Sequence, residues 1–395
     1  MIARAMPIFS MDVYADGLIA GLKAVRPKWE IVEVTPLPLD RGSSSLSVRL
    51  RKYYERFWRY PRTVEKQKAD IFHVIDHSDG HLVYWLQRTG KPVVVTCHDL
   101  INFVYPENLQ GLVHLPLVST ANWQFSVRGM QDANHIVAVS SNTARDVTQR
   151  LNIEPEKITI VPDAVDSLFR PLPQKEVESF RQQQTISPET ICLLHVGSNH
   201  PRKNVLTILK VVETLKHQGL PVYFWKIGSD FTNEQKEFIR NNNLDNFVNY
   251  LGQPDRPTLV QAYNAADVLL SPSLHEGFGM TVLEGMACGT PVITSNVSSL
   301  PEVAGDAAVL VDPMDVQAMV EAVCRLQNAS AYRNWLIDKG LKRAKSFTWE
   351  TTAEQIAKVY EKATIGEKFY TANKSKKHNK EFKNDRINEL LNDKN

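Results

Sequence analysis

Short apolar runs alternate along this chain with longer segments whose apolar positions recur every three or four residues, the beat of strand followed by helix. Ile2 to Phe9, interrupted by Pro7, reads as a first strand, Asp12 to Val25 as a helix, and Glu30 to Val34 as a second strand. The series continues with a strand at Ile71 to Ile75, a helix at Gly80 to Gln87, a strand at Val93 to Thr96, and a helix around Ser119 to Gln131. It ends with a strand at Ile136 to Val139, a helix at Ser141 to Arg150 behind a Ser/Asn cap, and a strand at Ile158 to Val161. Such alternation predicts a parallel, doubly wound α/β sheet. Val161 to Pro173, with three prolines, breaks the rhythm. A second series then begins, with strands at Ile191 to Val196, Tyr223 to Ile227, Phe247 to Tyr250, Val268 to Leu270 and Val292 to Thr294. The expected organisation is one Rossmann-like domain over residues 1–165, another over 166–345, a terminal helix at 346–364, and a Lys/Asn-rich tail at 366–395 too poor in apolar residues to fold alone.

At 395 residues the chain is too long for one ordinary core and suits two. The net charge of +2 gives no overall field, so attraction to a polyanion must be local. The four cysteines, Cys97, Cys192, Cys288 and Cys324, are far apart and form no CxxC pair, which predicts reduced thiols and no metal site. The chain has no apolar run of membrane-spanning length, and its start has too short an apolar core for a signal peptide, so a cytoplasmic protein is expected.

The most informative stretch is Val268 to Ile293, VLLSPSLHEGFGMTVLEGMACGTPVI. A strand leads through a loop containing Gly277 and Gly279 into a helix closed by Gly289 and then into another strand. Glycines there let backbone amides approach a phosphate, and the helix start favours negative charge. Glu276 and Glu284 bracket this anion site. Two carboxylates would repel a bare phosphate, but they pair well with sugar or ribose hydroxyls, so a nucleotide sugar is the economical ligand. Thr281 and Glu284 also match a capping box, which would serve the backbone alone.

This stretch resembles the donor-binding signature of glycosyltransferase family 4, the glycosyltransferase group 1 family. Its members are retaining enzymes of the GT-B fold, two Rossmann-like domains facing across a cleft. The resemblance implies that Glu276 lies at the transferred sugar and Glu284 holds the ribose. The amides around Gly277, Phe278, Gly279 and Met280 would meet sugar and diphosphate, with Thr281 beside them. It also implies that Lys203 neutralises the leaving diphosphate, with Arg202 substituting for the family's arginine, whose place after Gly197 is taken by Ser198. His98, at the carboxyl end of a first-domain strand, would lie at the donor sugar. The helix from Phe347 to Tyr360 looks like the family's terminal helix, which crosses back to the first domain. Members usually open with a glycine-rich loop before the first helix, and no glycine precedes it here.

The expected activity is metal-independent hexosyl transfer from a nucleotide diphosphate sugar to a glycan or lipid-linked hydroxyl acceptor, in polysaccharide or glycolipid synthesis, with no cofactor. His77 is the acceptor-side candidate, because HVIDH spacing on a strand does not place two imidazoles for a metal. Arg49 to Arg62, RLRKYYERFWRYPR, interleaves cations with aromatic rings and suits peripheral contact with anionic lipid at the inner face of the cell membrane. The alternative is a surface helix whose rings pack inward. Nucleic acid is disfavoured by the charge balance. Rival readings are a sugar phosphorylase or epimerase on the same fold, or a degenerate nucleotide-binding subunit.

Overall fold

The computed structural model describes residues 1–4, 9–37, 46–104 and 116–365. Residues 5–8, 38–45, 105–115 and the Lys/Asn-rich tail at 366–395 lie outside these. Among the described residues twelve strands form two sheets with every pairing parallel. The first contains β1 (Ile2–Ala3), β2 (Glu33–Val34), β3 (Phe72–Val74), β4 (Val93–Cys97), β5 (His135–Ala138) and β6 (Ile158–Ile160), in the order β2-β1-β3-β4-β5-β6. The second contains β7 (Ile191–Gly197), β8 (Val222–Gly228), β9 (Val248–Tyr250), β10 (Val268–Ser271), β11 (Val292–Ser295) and β12 (Val309–Val311), in the order β12-β11-β10-β7-β8-β9. That second order is the Rossmann arrangement, whose strand order reverses between β7 and β10 and whose ligands bind beyond the strand ends at that point.

Both faces of each sheet are covered, so the central strands are mostly apolar, with His73, Thr96, His195 and Lys226 as buried polar exceptions. On β7, Cys192 and Leu194 enter one core with Phe180, Trp225 and Tyr263, while Ile191 and Leu193 enter the opposite core with Ile208 and Phe224. The strands expected at Ile2 to Phe9 and Glu30 to Val34 form in shorter spans, the one expected at Val93 to Thr96 runs one residue further, and β12 is a strand the sequence pattern did not reveal. The helix expected at Gly80 to Gln87 is instead a 3-10 segment, His77–Leu82, followed by one short α turn and another 3-10 turn. Asp76 accepts the Ser78 amide and tightens that start. The helix expected from Ser119 runs over Pro116–Arg128, and the first helix over Phe9–Val25.

A final helix over 349–365 packs on the first sheet rather than the second. It is fixed by a buried chain of hydrogen bonds. The Tyr360 hydroxyl meets His73 Nδ1 at 2.6 Å, His73 Nε2 meets Thr96 Oγ1 at 2.7 Å, and Thr96 Oγ1 meets the Tyr14 hydroxyl at 3.2 Å. Burial lowers the His73 pKa to about 3, so the ring is neutral and can donate from one nitrogen and accept at the other. Arg26 adds an ion pair to Glu354 at 2.7 Å.

Tyr360→Phe removes one partner of a buried ring nitrogen while keeping the ring's volume. Urea unfolding should therefore show a loss of about 1–3 kcal/mol. An unchanged midpoint would mean that the hydroxyl contributes nothing to docking of the helix.

Candidate active site

The strand ends at the reversal point deliver the charged groups. After β7 the chain makes a 3-10 turn, Pro201–Lys203, and Asn204 in the left-handed region separates it from the helix Val205–His217. Arg202 and Lys203 therefore precede that helix and do not stand in its first turn. They are held from across the reversal point by Glu276, in the loop after β10. Lys203 Nζ donates to Oε1 at 2.6 Å and Arg202 Nη1 to Oε2 at 2.7 Å. Burial alone would raise the Glu276 pKa, but the two cations outweigh it and bring it down to about 2.

The donor-loop glycines have distinct reasons. Gly279 is the N-cap of the helix Met280–Cys288 and has φ of 118°, a region open to glycine. Gly277 passes so near the first domain that a Cβ would collide with the carbonyl oxygen of His98. Because the helix starts at Met280, Thr281 lies inside its first turn and no side chain caps it. The capping-box alternative for Glu284 is thereby excluded. Glu284 instead accepts a hydrogen bond from the Tyr263 hydroxyl at 2.7 Å. Burial raises its pKa to about 7, despite that hydrogen bond.

A cavity of about 380 Å³ joins these groups to the first domain. Its lining includes Arg202, Lys203, Glu276, the Gly277–Thr281 loop and Glu284 on one side, and Tyr14, His98, Asp99 and Asp163 on the other. His98 Nε2 lies 2.9 Å from the Ile75 carbonyl oxygen, and Nδ1 lies 3.9 Å from Asp163 Oδ2, too far for a direct hydrogen bond. Burial pulls the His98 pKa down, yet the Asp163 and Asp76 carboxylates raise it to about 9, so the ring is an imidazolium at neutral pH. The edge of Tyr14 packs on it, with ring centroids 4.7 Å apart.

The structure thus brings together His98, Arg202, Lys203, Glu276, the Gly277–Thr281 loop and Glu284. Gly197 lies just behind Lys203 and accepts a hydrogen bond from the fully buried Lys226 at 3.1 Å. His77 is not brought in. It is buried beside Asp76 and is absent from the cavity lining. Tyr14, Asp163, Tyr263 and Lys226 went unseen in the sequence, where each is an isolated residue in an ordinary strand, helix or turn. Ser298 and Ser299 were also missed. Their hydroxyls hold the Glu276 and Phe278 carbonyls, and Ser298 adopts φ of 61°, costly for a non-glycine residue and a hint of constraint. Among the described residues no cluster of His, Cys, Asp and Glu could hold a metal ion.

Comparison with known proteins agrees with this arrangement. Residues 23–167 match the family profile Glycosyltransferase Family 4, and residues 176–343 match Glycosyl transferases group 1. The chain is 27% identical over 281 residues to O-antigen chain mannosyltransferase B of Escherichia coli, covering 70% of this chain and 72% of that protein. Sucrose-phosphate synthase from Thermosynechococcus elongatus superposes with a TM-score of 0.69 at 20% identity, over 90% of this chain and 94% of that one. HepE of Anabaena, solved in complex with UDP-glucose, gives 0.69 at 15% identity over 91% and 99%. With family profiles matching both halves, and two parallel sheets facing across a cavity lined from both, the chain belongs to the glycosyltransferases of group 1 and family 4 and has the GT-B fold.

Proposed function

We propose that this glycosyltransferase moves a hexose from a nucleotide diphosphate sugar to a hydroxyl acceptor, with retention and without a metal ion, in the synthesis of a cell-surface polysaccharide or glycolipid. The observation that carries the reading is the placement of Glu276, its two cations and Glu284 on one cavity wall with His98 facing them. The mannosyltransferase relative and the UDP-glucose complex of HepE support the donor and product classes.

In this reading Glu284 takes the ribose hydroxyls, and the diphosphate lies over the Gly277–Thr281 loop, where the amides of Met280 and Thr281 open the helix without an intrahelical acceptor. Lys203 and Arg202 keep donors beyond those given to Glu276, since an ammonium has three and a guanidinium five. They stabilise the negative charge that gathers on the diphosphate as the anomeric bond to it breaks. Glu276, with lone pairs to spare, meets the sugar hydroxyls. His98 Nδ1–H donates to a sugar or phosphate oxygen. The acceptor oxygen attacks from the face the diphosphate leaves, and a diphosphate oxygen accepts its proton, so no side-chain base is needed.

The basic aromatic segment is the proposed membrane contact. Tyr54, Trp58 and Phe125 are 57%, 46% and 49% exposed, with the Arg62 guanidinium 4.1 Å from the centre of the Trp58 ring. Tyr60 leaves this group for the core. Arg59 is bound to the buried Glu55, and Arg56 lies 3.0 Å from Asp79, so these two arginines serve the fold.

Glu284 gives a test with a definite sign. Its carboxyl stands at about 7 in the fold against an ordinary value of 4.5, so the native state holds a proton that the unfolded chain has released. Stability from this group is therefore lost as pH rises from 4.5 through about 7. Glu284→Gln removes that loss, and its stability relative to the parent should improve between about pH 5 and pH 8 by on the order of 1–3 kcal/mol in urea unfolding. Nucleoside diphosphate binding at about pH 8 should weaken by roughly 1.5–3 kcal/mol, because the charged acceptor for ribose is gone. Unchanged binding would remove Glu284 from the donor site.

Transfer should persist in excess EDTA, since Lys203, Arg202 and backbone amides supply the charge stabilisation that a divalent ion gives elsewhere. Activity abolished by EDTA and restored by manganese would refute metal independence. For the membrane contact, Arg51→Glu, Lys52→Glu and Arg62→Glu together should weaken binding to vesicles containing phosphatidylglycerol by about a hundredfold, at about 1 kcal/mol per cation. A parent protein that ignores such vesicles would favour a soluble acceptor.

A further inference from the structure

Glu302 lies in the short helix Leu300–Ala304 of the second domain, yet its carboxylate reaches the first domain. Oε2 accepts the amide of Ser141 at 3.0 Å, and Oε1 that of Asn142 at 3.4 Å. These are the opening amides of the helix Ser141–Leu151, which have no intrahelical acceptor and carry the positive end of the helix dipole. The helix is thus capped twice, by its own Ser140 and by a charge from across the cleft.

The same junction grips the donor loop. Ser140 Oγ, while accepting the Thr143 amide at 3.0 Å, donates to the Gly277 carbonyl at 2.6 Å, and Thr143 Oγ1 donates to that carbonyl at 3.1 Å. Both side chains are buried. From the other side Ser299 Oγ lies 3.0 Å from the Glu276 carbonyl and 2.7 Å from that of Phe278. The short segment Ser298 to Glu302 therefore holds the donor loop by its serines and the first-domain helix by its carboxylate. Gly277, between the two grips, lies against the His98 carbonyl with no room for a side chain.

We infer that Glu302 is a positioning residue that, with Ser140, clasps the two domains across the cleft and fixes His98 against the Glu276 loop. Glu302 is absent from the cavity lining and acts through the helix it caps. The inference deepens the proposed transfer reaction and rests on it only for the link to turnover, because the clasp closes when the donor-side and acceptor-side walls have met. Opening the cleft requires the helix start to exchange a carboxylate for water, and Gly277 to give up two hydroxyl donors.

The test measures the clasp separately from catalysis. Paired spin labels on exposed Gln149 and Gln327, with Cys324 replaced by serine, report the distance between domains. Glu302→Lys sets a cation against the helix dipole, and the closed population should fall about tenfold or more. Glu302→Gln keeps the shape and one acceptor oxygen and should fall less, which also covers the case in which the lysine variant does not fold. Ser140→Ala should open the cleft independently. Turnover should drop with the closed population while the dissociation constant for uridine diphosphate moves less than about threefold, since that ligand's contacts lie mainly in one domain. Wild-type distance distributions in both Glu302→Gln and Ser140→Ala would overturn the clasp. Should the parent chain transfer no sugar, the proposed reaction fails while the label distances still decide this inference.

Discussion

Glu276 is buried between Lys203 and Arg202, and neither the carboxylate nor the lysine could be withdrawn from water without the other. The two cations and the carboxylate come from two segments far apart in the chain, so their meeting requires β7 and β10 to be neighbours with their carboxyl ends level. The parallel order of the second sheet supplies that. Ser298 and Ser299 then hold the loop carrying Glu276 by taking its carbonyls. Without a fixed loop the carboxylate would leave two cations poorly neutralised at the mouth of an apolar sheet. Fold, loop and site electrostatics are in this sense one arrangement.

The charge pattern around the cavity is graded. Glu276, beside two cations, is ionised under all ordinary conditions, whereas burial holds the Glu284 carboxyl at about 7 despite Tyr263 and more distant cations. His98 is charged because two carboxylates of the first domain face it. A ligand with an anionic centre and hydroxyls at its flanks meets positive potential in the middle and acceptors at the edges.

Much of this was legible in the chain. Apolar runs buried on both faces announce parallel strands, so both sheets could be read, and the two glutamates around a Gly-x-Gly loop marked one wall of the cavity. What escaped were contacts that cross between segments. Glu302 and Ser140 look like a surface acid and a helix cap, and only their juxtaposition gives them a shared task. His77 was misplaced because strand periodicity gives a side chain's face but not whether the next 3-10 segment buries it. Tyr60 is buried while Trp58 is exposed for a related reason: the π-helical turn Glu55–Arg59 adds a residue to the helix and rotates the succeeding turn toward the core.

The return of helix 349–365 to the first sheet has a consequence for how the protein is made. Leu18, Leu22 and Ile2 share their core with Ala353, Ile356 and Tyr360, residues that leave the ribosome only after the whole second domain. The first domain is discontinuous in sequence, and the second is in effect inserted within it. During synthesis the earlier domain waits with one apolar face uncovered while the later one, continuous and Rossmann-ordered, can complete itself first. The first domain can therefore complete its core only after the second has been made, and until then its uncovered apolar face is open to aggregation.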